Sequence, residues 1–287
     1  MIKPRDPDAE AALEADDIAL EVFIHALKLR HGYDFSEYSR ASLKRRALEL
    51  TRKFGVERLG DLIPSTLYEP ALVREIVSHL SVPVSSLFRD PEVFLRLREE
   101  VLPMLASWPR INIWLAGCAY GEEVYSLAIM LAEAGLTQRS QIYATDFNDY
   151  ALERAAEGIF NRQNLPEYRR NYMESGGQAR LSDYYHARYE LMRMRRELLE
   201  RVVFAHHNLV TDGVFAEAHL IMCRNVLIYF TQPLKDRVLE LFADSLVRGG
   251  FLVLGNKEAL SATSPVADRF ELVSATDRIY RLKRDGV

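Results

Sequence analysis

The distribution of hydrophobic residues divides the chain into a helical first part and an alternating second part. Between residues 17 and 82, apolar side chains recur three and four positions apart, and no strand pattern interrupts them. Residues 42–54 show this spacing most clearly. Their apolar stripe consists of Leu43, Ala47, Leu50 and Phe54. We therefore predict a small all-α domain over residues 17–82.

From residue 111 onward, short apolar runs of strand length alternate with amphipathic helical segments. The predicted strands are residues 111–116, 141–145, 202–205, 220–223, 251–254, 270–273 and 278–282. The predicted helices are residues 122–134, a segment capped near Asn148 or Asp149, and residues 232–247, closed by Arg248-Gly249-Gly250. This alternation predicts a parallel, doubly wound α/β sheet whose last two strands form an antiparallel edge.

Two features delimit the second domain, which we predict to cover residues 83–287. At its start, Pro83 and Pro91 punctuate a linker. Asp90 is expected to cap a helix that has Pro91 in its first position. Further on, residues 161–201 interrupt the alternation with many Arg and Tyr side chains. We interpret that stretch as an inserted subdomain.

Composition is that of an ordinary globular protein. Hydrophobic residues make up 48% and charged residues 27% of the 287 positions. No uninterrupted apolar run reaches membrane-spanning length, so we expect no insertion into a membrane. The two cysteines, Cys118 and Cys223, fall inside predicted core elements, which favours reduced thiols and a cytoplasmic location.

The net charge of −4 conceals a basic segment in the first domain. Residues 28–58 contain nine Lys or Arg and four acids, so their net charge is +5 and that of the remaining chain is −9. Lys44, Arg45 and Arg52 lie away from the apolar stripe of the helix at 42–54. We interpret this face as a candidate surface for an acidic partner, and the alternative is an ordinary solvated helical face.

The clearest chemical signal lies where the strand at 111–116 meets the next helix through a loop from Gly117 to Gly121. Glycines at such a turn let the backbone approach a ligand closely. The loop lacks the Gly-x-Gly-x-x-Gly pattern of dinucleotide sites. Glu122 and Glu123 open the helix where a phosphate would need unshielded amide groups. The two acids therefore favour a cationic ligand.

A carboxylate closes the next strand at Asp146. An acid at this point can accept hydrogen bonds from both hydroxyls of a ribose, and the alternative is a residue that only caps the following helix. Together with the acidic loop, Asp146 indicates a ribonucleoside that carries a positive group. S-adenosylmethionine has these properties.

Seven segments, in one order along the chain, carry a resemblance to a known family. They are Leu-Phe-Arg-Asp-Pro-Glu-Val-Phe (87–94), Trp-Leu-Ala-Gly-Cys-Ala-Tyr-Gly-Glu-Glu-Val-Tyr-Ser-Leu-Ala (114–128), Ala-Thr-Asp-Phe-Asn (144–148), Glu-Gly-Ile-Phe (157–160), Asn-Leu (208–209), Cys-Arg-Asn-Val-Leu-Ile-Tyr-Phe (223–230) and Arg-Gly-Gly-Phe-Leu-Val-Leu-Gly (248–255). In them the chain resembles the chemotaxis receptor methyltransferases of the CheR type. These enzymes transfer a methyl group from S-adenosylmethionine to glutamate side chains of chemoreceptors. The resemblance implies a Rossmann-like class I methyltransferase sheet preceded by the all-α domain.

The resemblance also implies roles for individual residues. Arg89 would hold the carboxylate end of the cofactor, Glu123 would lie near its amino group, and Asp146 would bind its ribose. Asn208 and Leu209 would frame the adenine. The remaining implied cofactor contacts are Ser85, Gly117, Asn225 and Val226.

For the acceptor, the resemblance implies that Lys44, Arg45 and Arg52 bind an acidic helical region of a chemoreceptor or a similar signalling protein. A glutamate carboxylate, with an ordinary pKa of about 4.3, is already ionised at neutral pH, so no catalytic base is required. We therefore name no catalytic residue and regard Tyr229 only as a candidate wall of the acceptor pocket.

Other functions stay open at this point. Pro83 stands where the family usually has Asn, and it lacks both a side-chain donor and a backbone N–H. This departure motivates an alternative function as a non-catalytic module that binds S-adenosylmethionine or S-adenosylhomocysteine in a signalling system. A methyltransferase acting on a small molecule or a nucleic acid is a further alternative. We expect no nucleic-acid partner and no metal site, since His186, His206 and His207 lack the spacing of zinc ligands.

Overall fold

The computed structural model describes residues 7–81 and 84–284. By the contacts between its residues, the chain divides into two compact units. The first unit is Met1–Val82 with Tyr229–Thr231, and the second is Pro83–Ile228 with Gln232–Val287. Within the two described ranges, no helix is long and apolar enough to cross a membrane.

The first unit is helical. Its helices are α1 (Pro7–His31), α2 (Arg40–Phe54), α3 (Ile63–Tyr68) and α4 (Pro70–Ser81). The predicted stripe of α2 points inward, since Leu43, Ala47 and Leu50 are buried, while Phe54 is half-buried. Gly55 ends α2 in the left-handed conformation that glycine adopts at little cost. The helix predicted at 42–54 is confirmed.

The short segment Tyr229–Thr231 belongs to this first unit by its backbone hydrogen bonds. The amide of Ser39 donates to the carbonyl oxygen of Tyr229 at 2.7 Å, and the amide of Thr231 donates to that of Glu37 at 2.9 Å. Phe230 is buried with its ring edge-on to Tyr38, at 5.1 Å between centroids.

The second unit alternates helices and strands. Its helices are α5 (Pro91–Arg96), α6 (Leu102–Leu105), α7 (Glu122–Glu133), α8 (Asp149–Glu157), α9 (Leu165–Glu174) and α10 (Gln232–Ser245). A π-helical turn, Leu97–Val101, joins α5 to α6. The strands are β1 (Ile111–Ala116), β2 (Ser140–Asp146), β3 (Ile159–Asn161), β4 (Tyr185–Arg188), β5 (Leu191–Met194), β6 (Val202–His206), β7 (Ala218–Cys223), β8 (Leu246–Leu254), β9 (Phe270–Ser274) and β10 (Ile279–Leu282).

Seven strands form the main sheet in the order β6-β2-β1-β7-β8-β10-β9. The first five are parallel, and β10 and β9 are antiparallel at one edge. This is the predicted Rossmann-like α/β sheet, so the fold class is confirmed. Strand order reverses between β1 and β7, and ligands of such sheets bind at the carboxyl ends of the strands beside this point.

A second, three-stranded antiparallel sheet has the order β3-β5-β4 and lies within residues 159–194. Its inner face buries Met192 and Met194, and α9 precedes β4. The boundaries of an inserted subdomain at 161–201 stay a prediction.

The sequence prediction was wrong about the end of α10. The helix ends at Ser245, and residues 248–250 lie inside β8 instead of forming a helix cap. The pairing of β7 with β8 shifts register between Ala218 and Leu220, and Gly249 takes a φ of 78° in this irregularity. Its left-handed conformation therefore serves a bulge in a strand.

Candidate functional site

The loop between β1 and α7 requires glycine at both of its ends. Gly117 has a φ of 79°, and a Cβ atom there would lie 2.6 Å from Cγ2 of Val226. Gly121 has a φ of 92°, and its Cβ would lie 2.8 Å from Cβ of Ala155. The amide of Gly117 donates to the carbonyl oxygen of Thr145 at 2.8 Å, which fixes the loop against the end of β2. The loop backbone is thereby held close to its neighbours.

Asp146 completes this arrangement at the end of β2. Its Oδ2 accepts from the amide of Ala119 at 3.0 Å and its Oδ1 from the amide of Asn148 at 3.0 Å. Burial raises the pKa of Asp146, and the two amides oppose that shift. The cap of α8 is Asn148, whose side chain accepts from the amide of Ala151. Asp146 is therefore not the cap of that helix, which contradicts the alternative interpretation.

Glu123 lies in the first turn of α7 and forms an ion pair with Arg224. Nη1 of Arg224 donates to Oε2 of Glu123 at 2.8 Å. Burial raises the pKa of Glu123, while Arg224 and then Arg89 oppose the shift.

Asp90 also pairs with Arg224, whose Nη2 lies 2.7 Å from Oδ2 of Asp90. Asp90 is the N-cap residue of α5 and Pro91 is the first residue of that helix, as predicted, although the Asp90 side chain makes no capping hydrogen bond. The reason is this ion pair, together with a φ of 53° that places Asp90 in the left-handed region.

Arg89 and Ser85 lie in the tight segment that leads into α5. Nη1 of Arg89 donates to the carbonyl oxygen of Val84 at 3.3 Å, and Ser85 is half-buried. The amide of Phe88 donates to Oγ of Ser126 on α7 at 2.8 Å. Pro83, whose effect on this segment was in question, lies outside the described residues.

A third carboxylate, Glu122, faces the interior beside the loop. It is 6% exposed, and its Oε2 is buried with no hydrogen-bond partner among the described residues. Burial raises its pKa to about 7. Burial also raises the pKa of the Cys118 thiol, and the nearby carboxylates of Asp146, Glu123 and Glu122 raise it further. Acidic side chains therefore surround this loop, as the sequence indicated.

Two further predicted segments are ordered by hydrogen bonds to their backbone. The amide of Asn208 donates to Asp212, and the Asn208 side chain accepts from the amide of Val210 at 2.9 Å, while Leu209 is buried. The neighbouring amide of His207 donates to the carbonyl oxygen of Asp146 at 3.1 Å.

Asn225 has a φ of 60°, and its amide donates to Oε2 of Glu258 at 2.9 Å. Glu258 also accepts from the amides of Ile228 and Gly255. Its carboxylate thus fixes the loop that carries Val226.

The structure brings together Gly117, Glu123, Asp146, Arg89 and Val226 through the contacts described above. Sequence reasoning missed Arg224 and Glu258, which connect these segments. Arg224 directly follows the apolar strand β7, and a charged residue in that place was a usable signal. Glu258 lies in a loop without a comparable pattern.

The predicted acceptor residues belong to the first unit. Nζ of Lys44 lies 2.7 Å from Oδ1 of Asp17. Arg45 and Arg52 are exposed, and neither has a salt-bridge partner in the part of the chain that the structure describes. Tyr229 is half-buried, and the guanidinium of Arg46 lies 5.8 Å from its ring centroid.

The histidines have other partners. Nδ1 of His206 lies 2.9 Å from Asp149, and Nε2 of His207 contacts the carbonyl oxygen of Gly213 at 3.0 Å. Within residues 7–81 and 84–284, no group of three or more His, Cys, Asp or Glu is arranged to hold a metal ion.

Comparison with known proteins identifies a family and several relatives. The family model of the CheR methyltransferase SAM-binding domain matches residues 83–279. A Pseudomonas putida protein that carries the name Cher3 is 46% identical over 265 residues, which cover 92% of this chain and 97% of the relative. A chemotaxis protein methyltransferase of Listeria innocua is 32% identical over 83% of this chain and 88% of its own. The solved N-methyltransferase NodS from Bradyrhizobium japonicum is 14% identical, with a TM-score of 0.35, over 67% of this chain and 97% of that one.

Proposed function

The chain belongs to the CheR methyltransferase family, whose cofactor is S-adenosylmethionine, and from this membership we propose a specific reaction. The protein transfers the methyl group of S-adenosylmethionine to glutamate side chains of a chemoreceptor or a related signalling protein. The product is a glutamyl methyl ester. The relatives named as chemotaxis methyltransferases support a chemoreceptor as the acceptor.

One observation carries the proposal for the cofactor: three carboxylates surround a glycine loop at the point where strand order reverses, with Arg89 beside them. Asp146 would accept from the ribose hydroxyls, Glu123 would attract the ammonium group, and Arg89 would bind the carboxylate. The other proposed contacts are Ser85, Gly117, Asn208, Leu209, Asn225 and Val226.

The bound cofactor supplies an electrophilic methyl group on a positively charged sulfur. The acceptor carboxylate is ionised at neutral pH, so the chain does not need to remove a proton from it. The residues of the chain then have two tasks, which are to align the acceptor oxygen with the methyl carbon and to exclude water. We propose Tyr229 as a wall of the acceptor pocket.

Exposed cations on α2 support an acidic partner. Arg45 and Arg52 project from this helix without a carboxylate partner among the described residues, and they would meet an acidic helical region of the receptor. Lys44 is already paired with Asp17 and would contribute less.

A cytoplasmic location is part of the proposal. Both Cys118 and Cys223 are free and buried, as expected where thiols are kept reduced.

A calorimetric titration with S-adenosylhomocysteine tests the cofactor part. Asp146→Ala removes two charge-assisted hydrogen bonds to the ribose, each worth about 1.5–3 kcal/mol, so affinity is expected to fall at least about tenfold. Asp149→Ala, at an exposed carboxylate in the same region, serves as the control and should keep wild-type affinity. Equal affinities of Asp146→Ala and wild type would refute the assignment of Asp146.

The second candidate function is a non-catalytic module that binds S-adenosylmethionine or S-adenosylhomocysteine and regulates a signalling partner. The substitution of Pro83 for the usual Asn favours it. Transfer of a labelled methyl group to any protein excludes it.

A further inference from the structure

Arg224 is a buried charged residue at the end of β7, and it connects three separate segments. Its side chain is 0% exposed. Nη1 donates to Glu123 of α7 at 2.8 Å, whereas Nη2 contacts Oδ2 of Asp90 at 2.7 Å and the carbonyl oxygen of Arg89 at 3.0 Å. The guanidinium lies 5.6 Å from the ring centroid of Phe94. One side chain thus holds both the helix that carries Glu123 and the segment that carries Arg89.

Stability alone does not account for this arrangement. Taking an arginine and its partners out of water costs several kcal/mol per ion, and apolar residues of similar volume are often as stable or more so. Nε of Arg224 is also buried without a hydrogen-bond partner among the described residues, which adds a cost of about 1–3 kcal/mol. A group that is expensive to bury and aimed at two candidate ligand-binding residues indicates a role in the site.

The segment held by Arg224 is strained. Phe88 has a φ of 51° and Asp90 a φ of 53°, in the left-handed region that residues other than glycine seldom adopt. Such backbone persists only where the surroundings fix it. Here Ser126 accepts from the amide of Phe88, and Arg224 binds Asp90 and the carbonyl oxygen of Arg89. Without Arg224, the hydrogen bonds that hold Asp90 and the carbonyl oxygen of Arg89 are lost.

We propose that Arg224 is a positioning residue that sets Glu123 and Arg89 for the amino-acid end of the cofactor. The inference rests on the proposed function, because it assigns no new ligand. Arg224 itself binds neither end of the cofactor. It keeps Glu123 ionised and correctly oriented, and it keeps the turn of Arg89 in its strained conformation.

If Arg224 acts through its charge, removing it changes the pH at which Glu123 binds a proton. A loss of packing alone would not do so. The charged and titratable groups around Glu123 are Arg224, Arg89, Asp90, Cys118 and Cys223. Burial raises the pKa of Glu123, and Arg224 is the largest influence that lowers it. Without Arg224 the carboxyl group binds a proton at a higher pH, and a neutral carboxyl group no longer attracts an ammonium group.

The test is calorimetric titration of full-length protein with S-adenosylhomocysteine at pH 5.5, 6.5 and 7.5. The variant is Arg224→Met, and the matched control is Arg98→Met. Arg98 is another buried arginine of the second unit, 9% exposed and 2.6 Å from Glu133. The ionisation of the ligand affects all the proteins alike. We expect Arg224→Met to bind at least about tenfold more weakly than wild type at pH 7.5. Below the raised pKa of Glu123, it should lose up to about tenfold more per pH unit than wild type or Arg98→Met.

Two results would overturn the inference. One is an Arg224→Met protein with the affinity of wild type, and the other is an affinity loss equal at every pH, as a purely structural role would give. If Arg224→Met does not fold, Arg224→Lys replaces it, because a single ammonium cannot make all three contacts of the guanidinium. Wild type that fails to bind S-adenosylhomocysteine refutes the proposed function itself. Wild type that binds, beside an Arg224 variant that behaves like Arg98→Met, refutes the positioning role alone.

Discussion

At the scale of single residues, the site is defined by carboxyl groups held out of water. Burial raises the pKa of Glu122, Glu123, Asp146 and Glu258. Asp146 and Glu258 offset this cost with backbone amides, and Glu123 offsets it with Arg224. Perturbed acids concentrated in one region of a protein are characteristic of functional sites.

Glu122 provides a test of this charge distribution through stability. Because its pKa rises from 4.5 unfolded to about 7 folded, its contribution to stability is full below pH 4.5 and is lost as the pH rises through 7. Glu122→Gln abolishes this loss, which amounts to at most about 3 kcal/mol. Relative to wild type, the variant should therefore gain stability between pH 5 and pH 8, as measured by urea unfolding. Glu153→Gln, at an exposed position of α8, should show no such trend, and a pH-independent difference at Glu122 would contradict the account.

At the scale of elements, the loop between β1 and α7 depends on backbone geometry. Gly117→Ala places a Cβ 2.6 Å from Val226 and forces an alanine to a φ of 79°. The control is Gly135→Ala, where φ is 67° and no atom lies within 4 Å of the added Cβ. Chemical denaturation should show the Gly117 variant to be less stable than the control by about 1–3 kcal/mol. Its affinity for S-adenosylhomocysteine should also fall, and equal behaviour of the two variants would contradict the close approach.

Helix α2 provides the second test at this scale. Reversing the exposed charges in the double variant Arg45→Glu and Arg52→Glu should raise the KM for a receptor acceptor about fivefold to tenfold, since each exposed pair is worth about 0.2–1 kcal/mol. Affinity for S-adenosylhomocysteine should not change, because the cofactor contacts are proposed in the second unit. Arg110→Glu, at another exposed arginine, serves as the control. Methyl transfer that survives the double reversal undiminished would exclude this docking surface.

Periodicity predicted the elements well, because β1, β2 and α7 follow local patterns that packing reinforces. It failed where tertiary contacts decide the outcome. Gly249 looked like the end of a helix, yet it lies in a bulge of β8 that pairing with β7 creates. Asp90 lies at the predicted cap position, yet its carboxylate pairs with Arg224, 134 positions away, and makes no capping hydrogen bond. No local pattern announces that ion pair, and the same holds for the three amides that Glu258 accepts from.

At the scale of the whole molecule, positive charge is concentrated in one stretch of the first unit. The net charge of −4 is the sum of a basic stretch at residues 28–58 and an acidic remainder. The second unit carries the buried carboxylates that suit a cationic cofactor, whereas the exposed cations of α2 suit an acidic protein. We therefore propose that the sulfonium nucleoside binds the second unit and that an acidic helix binds α2 of the first.

The central claim is methyl transfer to a glutamate side chain. The most direct measurement incubates the protein with S-adenosylmethionine carrying a labelled methyl group and with the signalling region of a chemoreceptor from the same cell. The account predicts that label enters the receptor and leaves as methanol in mild alkali, as a glutamyl methyl ester requires, and that Asp146→Ala greatly reduces it. Absence of label from receptor proteins, or label that resists alkali, would contradict the account.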